Sequence, residues 1–239
     1  MSILALETAT RVSGVAVADI KSGVVLAEIV TENALTHSET LMPQVAEVLN
    51  MAKLKRENLK AVAVSIGPGS FTGLRIGLAT AKAIAYGLNI PLVGVPTTEV
   101  LAAHFPLPKF NLLPLLDAQK KRAYCGRYRW EQGELTETAA LAIHPVADII
   151  NFCADWGEPV IIMGDAVGKY ILGKTELPPS VIIPPAQLLM PRAANLAYLG
   201  IRKLKRGARA NPMTLEPLYL RPSEAELLWE KRRATISGK

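Results

Sequence analysis

The sequence has few of the residues that form disulfide frameworks or metal sites. Its 239 residues include two cysteines, Cys125 and Cys153, which form no CxxC pair. The three histidines, His37, His104 and His144, stand far from each other along the chain. This pattern argues against a disulfide-stabilised fold and against a zinc site.

Long apolar runs and a leader sequence are also lacking. No stretch approaches the roughly 18 apolar residues that a membrane-crossing helix needs. The N-terminal residues 1–7 have neither the basic start nor the cleavage site of a signal peptide. We therefore expect a cytoplasmic protein with no membrane partner. Half of the residues are hydrophobic, so a chain of this length should bury a substantial core.

Positive charge is in surplus at only one end of the chain. The net charge is +6, yet residues 1–201 hold 17 basic and 17 acidic side chains. Residues 202–239 hold ten basic and four acidic side chains. Such a tail can attract RNA phosphates, or its cations can complement a helix dipole at the surface. An RNA-binding module ranks last as a function, because aromatic residues for base stacking make up only 5% of the chain.

Residues 66–77 are the most informative stretch. An apolar strand at 61–65 runs into the turn Gly67-Pro-Gly-Ser70, after which a helical pattern begins. Glycines permit backbone angles that are closed to residues with a Cβ, and Ser70 can cap the helix. The pattern predicts a tight strand-to-helix elbow beside a ligand or a partner. Close packing of the helix on its sheet is the alternative explanation for the glycines.

The elbow matches neither of the common phosphate-binding motifs. Counting from Gly67, the glycine and lysine positions of a Walker loop hold Thr72 and Gly73. Thr72 also stands where the dinucleotide fingerprint requires its third glycine. The elbow alone is therefore weak support for phosphate binding.

Hydrophobic periodicity predicts a βββαβαβα order for the first 105 residues, with three antiparallel strands at the start and a hairpin turn at Gly23. Thr36 and Glu39 have the spacing of a capping box before the first helix. The expected elements lie at residues 2–7, 12–19, 24–30, 38–54, 61–65, 71–88, 91–95 and 97–104. Pro106 and Pro108 mark a boundary. We therefore expect an N-terminal lobe at 1–105 and a C-terminal lobe at 106–239, whose basic end can pack back on the first lobe.

The second lobe begins in the same way as the first. A strand at 112–116 ends in Asp117, just as the first strand ends in Glu7. The hairpin glycines Gly23 and Gly133 each follow these carboxylates by sixteen residues. The matching intervals indicate a duplicated unit, although coincidence is the alternative.

This duplicated plan resembles the actin and sugar-kinase group of nucleotide-binding folds. The resemblance implies an α/β protein of the actin-like ATPase (ASKHA) type with two RNase H-like lobes. In that group the two hairpin turns face each other and hold phosphates and a metal. The resemblance to this group thereby implies a set of candidate nucleotide-binding residues, namely Glu7, Thr8, Thr10 and Asp117.

Three segments carry a more specific resemblance. They are Leu4-Ala-Leu-Glu-Thr-Ala-Thr10, the elbow at 65–77, and Glu216-Pro-Leu-Tyr-Leu-Arg221. With them the chain resembles the TsaB (YeaZ) family, the partner subunits of the bacterial enzyme that makes threonylcarbamoyladenosine in tRNA. The resemblance is close over 1–105 and moderate over 110–130. Over 140–205 it rests on the general αβ pattern.

The resemblance also implies which sites are missing. The family often has Asp-Ala-Arg, an acidic residue and tyrosine at the second hairpin, where this chain reads Asp117-Ala-Gln-Lys-Lys-Arg-Ala-Tyr124. In the related catalytic subunit, TsaD, two histidines bind the metal, and their positions here hold Thr97 and Leu101, with His104 out of register. The resemblance thus implies no catalytic residue, no metal and no tightly bound cofactor. ATP or ADP with Mg²⁺ would bind only at an assembled complex.

Two helices have too little polar surface to rest on one sheet alone. Between 71 and 88 only Arg75 and Lys82 are charged, and the helix at 38–54 has a similarly broad apolar face. Each needs a second helix, from this chain or from a partner. We predict a partner interface formed by Leu41, Met42, Val45, Ala46, Leu49, Leu74, Leu78, Ala81, Lys82 and Ala85. The alternative is that the two helices only cover each other.

The resulting functional expectation is a non-catalytic subunit. By resemblance, it would bind and activate a TsaD-type catalytic subunit in the N6-threonylcarbamoylation of adenosine 37 of tRNA. A TsaE-type ATPase, tRNA held through the complex, and a homodimer of the isolated chain are implied in the same way. The alternative is a self-sufficient small-molecule kinase or ATPase of this fold, with Glu7 and Asp117 around a magnesium ion.

Overall fold

The computed structural model describes residues 1–32, 37–173 and 176–220. Its strands and helices alternate along the chain in two similar series. They are β1 (Ser2–Glu7), β2 (Ser13–Asp19), β3 (Val25–Thr31), α1 (His37–Met51), β4 (Leu59–Ser65), α2 (Phe71–Leu88), β5 (Leu92–Val95), α3 (Thr97–Ala102), β6 (Asn111–Asp117), β7 (Arg122–Glu131), β8 (Glu134–Pro145), α4 (Val146–Asp155), β9 (Val160–Met163), β10 (Val181–Ile182) and α5 (Ala193–Lys205).

Two five-stranded sheets have the same strand order. The first is β3-β2-β1-β4-β5 and the second is β8-β7-β6-β9-β10. In each, the central strand pairs antiparallel with the next strand in sequence and parallel with the strand that follows the crossover. Gly23 and Gly133, with φ of +76° and +78°, occupy equivalent hairpin turns. The duplication and the two-lobed α/β fold of the actin-like type are therefore confirmed.

The first sheet is covered by helices on both faces, which is why its central strands are apolar at nearly every position. Leu4 and Leu6 of β1 pack in one cluster with α1 and α2. Ile3 and Ala5 face the opposite side and pack with α5. A Cβ added to Gly200 of α5 would lie 2.7 Å from Cβ of Ala63, so α5 approaches the sheet closely. The chain thus returns from the second sheet to cover the first.

Helix α3 and a set of ion pairs connect the two sheets. Val100 packs in the α5 cluster, whereas Leu101 belongs to the core of the second sheet. Arg202 of α5 and Arg206, which directly follows α5, both form ion pairs with Glu134 at the start of β8. The two sheets are therefore linked by both apolar and charged contacts.

The predicted elements of the first lobe are present, with two helix ends corrected. The helix expected at 38–54 ends at Met51, because Lys53 is left-handed (φ 52°) and Leu54 N–H donates back to the Leu49 carbonyl. The helix expected to reach His104 ends at Ala102. Thr36 of the proposed capping box, Arg221 and the basic residues beyond it lie outside the described residues. Within the described part, no helix combines the length and the apolarity that crossing a membrane would require.

Candidate functional site

The elbow between β4 and α2 rests directly on the turn between β1 and β2. Ser70 N–H donates to the Ala9 carbonyl over 2.7 Å, and Ser70 Oγ caps α2 by accepting from Gly73 N–H at 3.2 Å. A Cβ on Gly69 would lie 2.1 Å from the Ala9 carbonyl oxygen. Glycine is therefore required here for close backbone approach.

The first turns of α2 continue this close packing against Thr8. A Cβ on Gly73 would lie 2.1 Å from the Thr8 carbonyl oxygen, and one on Gly77 would lie 2.2 Å from Thr8 Oγ1. Thr8 Oγ1 donates a 2.8 Å hydrogen bond to the Gly73 carbonyl. The space above the turn between β1 and β2, where the resemblance to nucleotide-binding folds places a phosphate, is thus filled by α2.

The other candidate side chains of this turn are enclosed as well. Glu7 is fully buried, accepts from Ala9 N–H at 2.8 Å and accepts from the Ser65 hydroxyl. Burial raises the pKa of Glu7 to about 7, although the hydrogen bonds from Ser65 and Ala9 oppose the shift. Thr10 is 2% exposed and accepts from Val12 N–H. These three side chains are at most 2% exposed in this structure, and their contact with a nucleotide stays a prediction.

Asp117 lies at the equivalent place in the second sheet and is partly exposed. Its carboxylate pairs with Lys169, accepts from the Tyr170 hydroxyl at 2.8 Å and accepts from Gln119 N–H at 2.8 Å. Partial burial raises the pKa of Asp117, but the hydrogen bonds from Lys169, Tyr170 and Gln119 outweigh it, so the pKa falls below its ordinary value. Asp117 is thus committed to partners within its own lobe.

The two positions that correspond to metal-binding histidines lie inside the fold. Thr97 and Leu101 are both fully buried, and Thr97 N–H donates to the Gly67 carbonyl at 2.8 Å. Burial lowers the pKa of His104, whose Nδ1 lies 3.1 Å from the Leu101 carbonyl oxygen. In the described part of the chain, no three His, Cys, Asp or Glu side chains come together as potential ligands of one metal ion.

The segment after α5 covers the elbow from the other side. Ala210 N–H donates to the Leu92 carbonyl at 2.8 Å, and Leu218 N–H donates to the Ile66 carbonyl at 2.7 Å. Arg75 of α2 donates to the Tyr219 hydroxyl at 3.0 Å. Leu218 and Tyr219 belong to the sequence motif at 216–221, which by itself indicates only a family resemblance. Its contacts depend on residues some 150 positions earlier, which no local pattern reveals.

The predicted helical interface divides into a buried part and an accessible part. Six of its residues are at most 5% exposed and pack within this chain: Leu41, Val45, Leu74, Leu78, Ala81 and Ala85. These six side chains offer no accessible surface in the isolated chain, because they are buried within it, and five of them pack in the cluster between the first sheet and helices α1 and α2. Met42 is 52% exposed, Ala46 is exposed, and Leu49 and Lys82 are partly exposed. For these four the interface stays a prediction.

Accessible apolar residues outside the predicted set extend the same outer surface. On α2, Ala79 and Ala83 are exposed and Tyr86 is 73% exposed. They recur at the three- and four-residue spacing of one helix face. We define the outer helix face as the accessible residues of α1 and α2, namely Met42, Ala46, Leu49, Ala79, Lys82, Ala83 and Tyr86.

Comparison with known proteins agrees with this architecture. The family model described as TsaD, tRNA N6-adenosine threonylcarbamoyltransferase, matches residues 24–229. The chain is 32% identical over 231 residues to the tRNA threonylcarbamoyladenosine biosynthesis protein TsaB of Bacillus subtilis, covering 96% of this chain and 98% of that protein. It is 28% identical over 240 residues to TsaB of Escherichia coli, covering 97% of this chain and 98% of that protein. The solved structure of YeaZ from Pseudomonas aeruginosa superposes with a TM-score of 0.78 at 25% identity, covering 92% of this chain and 99% of YeaZ. The chain therefore belongs to the TsaB (YeaZ) family.

Proposed function

We propose that this chain is a non-catalytic subunit that binds and activates a TsaD-type catalytic subunit in the N6-threonylcarbamoylation of adenosine 37 of tRNA. Family membership supports the pathway, since the Bacillus and Escherichia relatives are named for tRNA threonylcarbamoyladenosine biosynthesis. The match to the TsaD model supports a partner built on the same fold, because related folds can pair through equivalent surfaces.

The observation that supports a non-catalytic role is the turn between β1 and β2, which α2 encloses. An enzyme of this fold needs accessible donors there for phosphate, whereas here Thr8 Oγ1 is bound to the Gly73 carbonyl and Glu7 is fully buried. A self-sufficient kinase or ATPase would have to unpack α2 from β1 to bind a phosphate. ATP or ADP with Mg²⁺ would accordingly bind at the assembled complex and not to this chain alone.

The outer helix face is the surface that we assign to the catalytic subunit. Met42 and Tyr86 leave large apolar side chains accessible, and the exposed alanines Ala46, Ala79 and Ala83 on the same two helices allow another helix to approach closely. Two helices from each protein would form a four-helix arrangement. In the isolated chain the same face would support a homodimer, which the catalytic subunit would replace. A TsaE-type ATPase and tRNA would join only this complex.

The test is co-purification of this chain with the TsaD-type protein of the same organism. Ala46→Arg and Ala83→Arg each put a bulky charge on the outer helix face without filling any internal space. Both variants should fold and lose the complex, together with modification of tRNA. Ala154→Arg is the matched control, since Ala154 is an exposed helical alanine on α4 of the second sheet.

Two results would contradict the proposal. The first is full assembly and tRNA modification by the Ala46→Arg, Ala83→Arg double variant, which would remove the outer helix face from the interface. The second is steady ATP hydrolysis by the purified chain without any partner, which would favour the kinase or ATPase alternative.

A further inference from the structure

The turn between β6 and β7 carries three consecutive cations at the surface. Lys120, Lys121 and Arg122 are all exposed. In the described parts of the chain, none of the three forms an ion pair or a side-chain hydrogen bond with another residue. They differ in this respect from Arg202 and Arg206 at the end of α5, which both form ion pairs with Glu134 of β8.

The backbone of this turn is held in one unusual conformation. Gln119, Lys120 and Lys121 are all left-handed, with φ of 63°, 53° and 56°. Residues with a Cβ rarely adopt this conformation three times in succession. The turn is anchored at both ends, since Asp117 accepts from Gln119 N–H at 2.8 Å and Lys121 accepts from Val146 N–H at 3.0 Å. The backbone that carries the three cations is therefore held in place by hydrogen bonds at both ends of the turn.

The surroundings leave the positive charge of the turn largely unbalanced. The nearest carboxylate along the chain, Asp117, is already paired with Lys169. Asp165 is buried behind it and accepts from Asp117 N–H at 2.8 Å. Asp148, in the first turn of α4, is the remaining acid beside the Val146 contact, and it has no recorded ion pair within the described residues. Of these three carboxylates, only Asp148 is therefore left to oppose the three exposed cations.

We propose that the turn at 119–122, the basic turn, binds the phosphodiester backbone of RNA. Lysine and arginine on an exposed turn neutralise phosphates without reading bases, which suits a contact that positions a nucleic acid. A free nucleotide fits the place less well, because in the turn between β1 and β2 Thr8 Oγ1 is bound to the Gly73 carbonyl and α2 packs closely on the turn. The identification of the RNA as tRNA rests on the proposed function.

The test compares two double variants in an RNA titration. Lys120→Asn with Lys121→Asn removes two charges and keeps a residue type that tolerates left-handed backbone. The matched control is Lys53→Asn with Lys109→Asn, because Lys53 and Lys109 are also exposed and left-handed, with φ of 52° and 82°. The probe is an unmodified transcript of an ANN-decoding tRNA, titrated with the isolated chain and with the assembled complex across a salt series.

In the basic-turn variant, the slope of log affinity against log salt concentration should decrease in magnitude by about 2. The affinity at low salt should fall on the order of tenfold. The control should behave as the wild type. The inference is overturned if the basic-turn variant keeps the wild-type affinity and slope. It is also overturned if that variant loses only binding of Mg·ATP, or only capture of the TsaD-type subunit, with RNA binding intact.

Failure of the proposed function would look different. If the wild-type chain captures no TsaD-type protein, the assignment as a partner subunit fails. The RNA titration of the isolated chain then still decides whether the basic turn binds phosphodiesters.

Discussion

Thr8 Oγ1 donates a 2.8 Å hydrogen bond to the carbonyl oxygen of Gly73, which lies 65 residues later in the chain. This bond joins the turn between β1 and β2 to the first turn of α2. It can form only because positions 73 and 77 lack side chains, so that the helix backbone reaches Thr8. Gly73 and Gly77, together with Gly69 of the elbow, therefore allow α2 to pack closely on the turn between β1 and β2.

A first prediction concerns the glycines of α2. Gly77→Ala would place a Cβ 2.2 Å from Thr8 Oγ1, so the helix must shift and the Thr8 bond should weaken. We expect a loss of about 1–3 kcal/mol in the free energy of unfolding, as for other overpacked sites. Thermal or urea denaturation measures the change.

Gly87→Ala is the control in the same helix, because a Cβ at Gly87 would have no neighbour within 4 Å. Alanine favours a helix over glycine, so this variant should be stabilised by up to about 1 kcal/mol. Equal effects of the two substitutions would show that α2 does not pack against Thr8 as described.

The second prediction concerns the pH dependence of stability through Glu7. Burial raises its pKa from 4.5 to about 7, so the folded protein holds this proton over a range in which the unfolded chain releases it. The folded state then binds more protons, and the free energy of unfolding should fall as pH rises from about 4.5 through about 7. The full contribution is on the order of 3 kcal/mol. Urea denaturation between pH 5 and 9 measures it.

Glu7→Gln should remove this part of the pH dependence, because glutamine keeps the size and an acceptor oxygen but does not ionise. At pH 8 the variant should be at least as stable as the wild type. Glu47→Gln, on the exposed side of α1, serves as the control and should leave the profile unchanged. A Glu7→Gln profile parallel to that of the wild type would contradict the assignment.

A third prediction concerns the attachment of α5 to the first sheet. The Glu28 carboxylate accepts from Ala194 N–H at 3.0 Å and forms an ion pair with Arg192 at 2.6 Å, and its side chain is 13% exposed. Glu28→Ala leaves these donors unpaired and should cost about 2 kcal/mol. Glu32→Ala removes a more exposed partner of Arg11 and should change stability by less than about 1 kcal/mol. Similar losses in both variants would argue against a special role for Glu28.

The fourth prediction concerns the segment that covers the elbow. The Tyr219 ring lies 5.1 Å from the Phe71 ring, with the Arg75 guanidinium 3.9 Å from the Phe71 centroid. Tyr219→Ala should release residues 215–220 and speed hydrogen exchange of the Leu218 amide by roughly tenfold, for a loss of about 1 kcal/mol. Tyr219→Phe keeps the ring contact and should have a smaller effect. Unchanged exchange in Tyr219→Ala would show that the ring does not hold the segment.

The local sequence pattern was sufficient to predict those features that depend on neighbouring residues alone. The bounds of α2 at Phe71 and Leu88 follow from the Ser70 cap and from the apolar period. The hairpin glycines Gly23 and Gly133 were recognisable because a left-handed turn favours glycine. The packing of α1 and α2 against each other and the first sheet could be foreseen for the same reason, since a broad apolar face requires a second neighbour.

The sequence by itself determined the order of strands and helices in the first lobe, apart from two helix ends, and the duplicated plan, because these depend on local period and on matching intervals along the chain. Only the tertiary structure decided that Leu74 and Leu78 serve the chain's own core while Ala79 and Ala83 stay accessible. It also decided that Thr8 is enclosed and that the segment ending in Leu218 lies on the elbow. These outcomes depend on how close two distant backbones come, which is settled by packing between elements and not by the period of any one of them.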